Sequence, residues 1–180
     1  MEVYAECDFG SIRVTTVDWP IILIEFPENR VADEALLASL AYLESLWHEA
    51  ARRREKLFMI TDLTRMREVT PASQRRIAAH WMKRNIPLGS IASVGGATVT
   101  PSPILQGIIT AVYWLQPPAK PMWTAATRRE AILKGIQMLE AEGVSLPPRL
   151  VAYRDSAANV PAGDSPRKSQ ADRQAQTRLR

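Results

Sequence analysis

The chain is poor in the residues that build metal centres and disulfides. It holds one cysteine, Cys7, and two histidines, His48 and His80. A single cysteine excludes an internal disulfide framework and fits a reducing compartment. No Cys-x-x-Cys or His-x-x-x-His spacing exists, so a zinc site would lack its third and fourth ligands. No apolar run approaches the ~18 residues that a membrane-crossing helix needs. The N-terminus is acidic at Glu2, Glu6 and Asp8, without the basic flank and apolar core of a signal peptide. These absences together point to a cytoplasmic protein.

Catalytic and nucleotide motifs are missing as well. Gly95-Gly96 fits neither Gly-x-Gly-x-x-Gly nor the Walker pattern with its lysine, and no Gly-x-Ser-x-Gly elbow is present. Two glycines after a buried strand serve a turn more often than a phosphate. The acid Asp62 has no second acid at useful spacing, Glu68 being the nearest. An aspartate after a strand commonly fixes its own loop through side-chain to backbone bonds. No catalytic residue, metal or cofactor is therefore expected.

The formal charge of +4 is unevenly placed. Residues 1–150 hold 17 basic and 16 acidic side chains, and residues 151–180 hold 6 basic and 3 acidic. A folded nucleic-acid binder carries its basic face on the domain itself, so no specific nucleic acid is expected as partner. The sequence divides accordingly into a domain over 1–150 and a basic tail over 151–180. From about Asp155 the chain has almost no large apolar residue, a composition that predicts disorder.

What is present is an alternation of strands and helices from Ile12 to Glu142, which predicts an α/β domain. Ile12, Val14 and Thr16 alternate with Arg13, Thr15 and Val17 as in a half-buried strand, and Val3–Glu6 is a shorter candidate. Ile21–Phe26 and Leu57–Ile60 are too continuously apolar to have a solvated face. A helix is predicted over 31–54, with Leu36, Leu40, Leu43 and Trp47 in one stripe that Leu37 and Leu46 widen. Thr70-Pro71 opens a second helix, with Thr70 as cap and Pro71 at the first helical position, and Asn85 and Pro87 end it. Ile91–Val94 is a third core strand. A helix from Pro101 to Leu115 and a short strand at Met122–Thr124 follow. The capping box Thr127-Arg128-Arg129-Glu130 then opens a helix that stops at Gly143, and Pro147-Pro148 closes the domain.

This element order resembles the STAS domain, and more closely its SpoIIAA-like branch, which shades into the lipid-binding CRAL-TRIO (Sec14-like) fold. The resemblance covers 12–142. It is carried by Ile60-Thr61-Asp62-Leu63-Thr64, by Ile91-Ala92-Ser93-Val94-Gly95, and by Met122-Trp123-Thr124 with Glu130-Ala131-Ile132. It implies a mixed, mostly parallel sheet of four to five strands with about four helices. It also implies a non-enzymatic module that binds proteins in a bacterial signalling or scaffold system. The best-known members are switched by phosphorylation of a serine in an Asp-Ser-Ser-Gly motif. Here the segment reads Val69-Thr70-Pro71-Ala72-Ser73, and the phosphorylatable position falls on Ala72. Thr70 and Ser73 are the remaining candidates for a displaced phosphosite near a helix N-terminus.

The segment Ile104, Leu105, Ile108, Ile109, Val112, Tyr113, Trp114, Leu115 is apolar nearly all round, and a helix with no solvated face must be covered. A protein partner or a second copy of the chain would do so, with Ile104, Ile108, Tyr113 and Trp114 as contacts. Asp62 and Thr64, in the loop after the second core strand, are the companion binding candidates. The alternative is an apolar small-ligand or lipid carrier, with a CRAL-TRIO-like pocket between that helix and the sheet.

Overall fold

The computed structural model describes residues 5–28, 30–66, 71–115, 118 and 120–158, with backbone alone at 108 and 111–115. The elements run β1 (Glu6–Asp8), β2 (Arg13–Thr15), β3 (Ile21–Glu25), α1 (Asp33–Arg53), β4 (Leu57–Asp62) and α2 (Ala72–Ala92). They continue as β5 (Ser93–Val99), α3 (Pro103–Leu115), β6 (Met122–Ala125), α4 (Arg128–Ala141) and α5 (Pro148–Ala158). All six strands lie in one sheet in sequence order, β1-β2-β3-β4-β5-β6. The first two pairings are antiparallel and the other three parallel. The α/β class and mixed sheet are as expected. The sheet has six strands rather than four or five, and the described residues hold five helices rather than four.

The apolar runs of β3 and β4 are continuous because both faces of the sheet are covered. Ile22, Ile24 and Leu57 point into one core with Leu43, Leu46 and Trp47 of α1 and Trp81 of α2. Ile21, Phe58 and Ile60 point into the other, with Ile136 and Leu139 of α4 and Leu150 of α5. Alternation along a strand thus assigns each side chain to a layer. Phe58 is fully buried, which contributes roughly 2–3 kcal/mol of hydrophobic stabilisation. Of the two leucines expected to widen the α1 stripe, Leu46 is in the core and Leu37 is exposed.

Three boundaries differ from expectation for physical reasons. First, α2 continues through Pro87 to Ala92, and Asn85 is a buried helix residue whose amide donates to Glu44 and to the Trp81 carbonyl. The last turns are held by packing, since a Cβ on Gly89 would meet the Trp47 ring at 3.1 Å. Second, β5 starts at Ser93, so Gly95-Gly96 is strand and not turn. Gly95 has φ +149, and a Cβ there would meet the Pro121 carbonyl oxygen at 2.5 Å. Third, Pro148 opens a helix instead of ending the domain. Leu150 is buried in the α4 core, so residues 151–158, assigned to a disordered tail from sequence, belong to a packed helix. The candidate strand over 3–6 is replaced by Glu6–Asp8, and 159–180 lies outside the described residues.

Candidate functional site

The carboxyl ends of parallel strands converge on one edge of the sheet, where ligands of open α/β folds gather. Register places Glu25, the last residue of β3, directly beside Asp62, the last of β4. Two carboxylates are therefore set side by side, an arrangement that needs a cation. Arg128, in the first turn of α4, supplies it. Its Nη2 donates to Glu25 Oε1 at 2.5 Å and to Asp62 Oδ2 at 2.7 Å, and its Nε donates to Asp62 Oδ2 at 2.9 Å. Arg128 is fixed there by the capping box: Thr127 Oγ1 accepts from the Glu130 N–H, and Glu130 reaches back to the Ala126 N–H.

The other oxygen of Asp62 holds its own loop. Oδ1 accepts from the Thr64 N–H at 2.9 Å and from the Thr64 hydroxyl at 2.7 Å, an Asx turn. Each oxygen thus accepts two hydrogen bonds, which fills the ordinary capacity of a carboxylate. Asp62 is only 4 % exposed. Burial pushes its pKa up, but the Thr64 bonds and the Arg128 guanidinium outweigh that and hold it below the usual aspartate value. Arg128 is likewise opposed by burial and held above its ordinary value by Asp62 and Glu25. The group is a locked ion cluster, and Asp62 has no oxygen left to serve as acid, base or ligand.

A small cleft opens beside the cluster, lined by Arg13, Glu25, Phe26, Pro27, Asp62, Thr64, Arg65 and Arg128. Its volume of about 60 Å³ admits a few waters and no acyl chain. Arg13 on its wall is within 3.2 Å of Glu6 and 3.5 Å of Asp8.

The remaining candidates are separate from this cluster. Ile104, in the first turn of α3, is 79 % exposed, and α3 contains no charged residue. The side chains of Ile108, Tyr113 and Trp114 lie outside the described residues, as does Thr70. Pro71 occupies the cap position of α2 without a side-chain cap bond, and Ser73 is exposed in the first turn. His48 and His80 are exposed on α1 and α2. Among the described residues no three His, Cys, Asp or Glu side chains gather as metal ligands. Trp47 and Trp81 pack in the core as a tilted pair, with ring centroids 5.0 Å apart and an interplanar angle of 41°. Glu25 and Arg128 were not singled out from sequence, although a cation in the first turn of a helix opposes the helix dipole and so signals a partner elsewhere.

No family model, curated protein or solved structure matches the chain. No helix among the described residues is long and apolar enough to cross a membrane.

Proposed function

We propose that the chain is a non-enzymatic protein-interaction module of a bacterial regulatory or scaffold system, built on a STAS-like domain without the phosphoswitch motif. The observation that carries this reading is the state of Asp62. Of the two acids at the ligand-binding edge of the sheet, the buried one, Asp62, has its acceptor capacity filled by Arg128 and Thr64, which favours a rigid binding surface over an acid or base at that position. Four parallel strands in sequential order, each followed by a helix, agree with the architecture that the STAS resemblance implies. Binding uses α3, through Ile104, Ile108, Tyr113 and Trp114, or the loop after β4 that Asp62 and Thr64 hold in shape. The partner is a protein, or a second copy of the chain in a homodimer.

Sedimentation equilibrium over a hundredfold range of concentration tests the self-association arm, and Ile104→Asp and Trp114→Asp test the face. The reading expects complexes, with itself or with a partner recovered by crosslinking, that both variants weaken. A carrier would show extra mass on the intact protein in native mass spectrometry. Reproducible bound lipid, with α3 variants that lose it, would overturn the interaction reading.

A further inference from the structure

Six large apolar side chains are exposed among the described residues, and they are unevenly placed. Leu37 lies on α1, and Met82, Ile86 and Ile91 lie on α2, at 54 %, 57 %, 50 % and 60 % exposure. None lies on α4 or α5, the helices of the opposite layer.

The charges on that layer are equally one-sided. Across its 21 residues α2 carries Arg75, Arg76, Lys83 and Arg84 and no Asp or Glu. Arg84 is paired with Glu44 of α1 at 2.7 Å. Arg75, Arg76 and Lys83 are exposed and make no ion pair with any described residue. On α1, Asp33 accepts from Gln74, Glu44 is held by Arg84 and Glu49 by Arg52 and Arg53, which leaves Glu34 in the first turn to offset them. Arg75, Ala79, Met82 and Ile86 are spaced by four, three and four residues and are all exposed, which puts them in one stripe on the outer face of α2. Arg76 and Lys83, seven apart, run beside it.

We propose that the outer face of α2, with Met82 and Ile86 flanked by Arg75, Arg76 and Lys83, docks the protein on an anionic phospholipid surface. Charge complementarity selects this occupant. A second copy in twofold contact through α2 would set cation against cation. A protein helix seeks a groove, whereas this stripe lies along the outside of a helix whose inner face already packs on α1 through Trp81, Asn85 and Gly89. A bilayer interface accepts single apolar side chains inserted at headgroup depth while phosphates meet the surrounding cations. The contact is peripheral and is independent of the α3 face.

The test is co-sedimentation of the full chain with phosphatidylcholine vesicles, with and without phosphatidylglycerol. The protein is expected to pellet with the anionic vesicles and not with the neutral ones. Arg76→Glu/Lys83→Glu is expected to weaken binding by at least about tenfold. The charge-matched pair Arg129→Glu/Arg149→Glu, on α4 and α5, is expected to leave binding unchanged. Met82→Asn/Ile86→Asn is expected to lower it several-fold. Circular dichroism of each variant checks that these exposed changes leave the fold intact. No preference for anionic vesicles would overturn the proposal. So would an equal loss in both charge-reversed pairs, which would trace binding to overall charge, or full binding by Met82→Asn/Ile86→Asn.

Discussion

Arg128→Met removes the guanidinium from the cluster at the sheet edge while keeping most of the apolar stem. Asp62 is left as a carboxylate that is 4 % exposed, with two bonds from Thr64 and none on Oδ2. Removing one partner of a fully buried ion pair costs about 3–5 kcal/mol. Arg128 itself is 44 % exposed, so water replaces part of what it supplied, and the expected loss falls to about 2 kcal/mol. For a chain of this size that is about 4–8 °C in Tm. The pH dependence separates this cause from lost packing. In the wild type the Asp62 pKa is depressed, so its contribution is present above the ordinary value of 3.8 and is lost as pH falls through the folded pKa. Without Arg128 the same carboxyl titrates higher, and protonation relieves the variant first. Urea unfolding at pH 7 and at pH 4 should therefore show a deficit that narrows on acidification. Asp62→Asn/Arg128→Met should regain more than half of it. A deficit under about 1 kcal/mol at pH 7, or one of equal size at both pH values, would refute the locked-cluster account, because exposed ion pairs contribute about 0–1 kcal/mol.

Three further changes probe how the site is held. Gly135→Ala places a Cβ 2.5 Å from Phe58 Cδ1 in the core. The helix-propensity gain of about 1 kcal/mol is expected to lose to overpacking of about 1–3 kcal/mol, and a higher Tm would show that the ring moves aside freely. Thr127→Ala deletes the cap that anchors Arg128 and should cost about 1 kcal/mol in urea unfolding, with no change in far-ultraviolet circular dichroism. Leu150→Ala should cost about 2–3 kcal/mol if α5 is part of the cooperative unit, and an unchanged melt would detach α5 from it.

Much of the architecture was legible because its causes are local or periodic. Alternation in Ile12–Thr16 and continuous apolarity in β3 and β4 report how many faces of a strand are covered. The four-three-four spacing of Leu36, Leu40, Leu43 and Trp47 reports a helix on a sheet. The misplaced boundaries are those where tertiary contacts override a local stop. Asn85 and Pro87 read as the end of α2, yet the Asn85 amide finds Glu44 on α1, and Gly89 lets the next turn lie on Trp47. Pro147-Pro148 reads as a terminator, but proline is tolerated at the first position of a helix, and Leu150 and Tyr153 give that helix an apolar side.

The candidate site divides along the same line. The bonds from Thr64 to Asp62 span two residues, so a loop-fixing role for this aspartate follows from its place after a strand. The partner that completes the site is 66 residues away, and the second acid is 103 residues from Arg128. No periodicity encodes such distances. What the sequence does carry is a local conflict: an arginine in the first turn of α4, where the helix dipole prefers an acid. Arg129 beside it breaks the same rule and donates to the Ala157 carbonyl, so each misplaced charge in this capping box marks a contact supplied by the fold. Parallel pairing of β3 and β4 then brings Glu25 and Asp62 to the same edge, and their mutual repulsion supplies the reason for the conflict. A cation that is unfavourable in its own helix becomes favourable once two carboxylates face it, and the same occupancy removes Asp62 from chemistry.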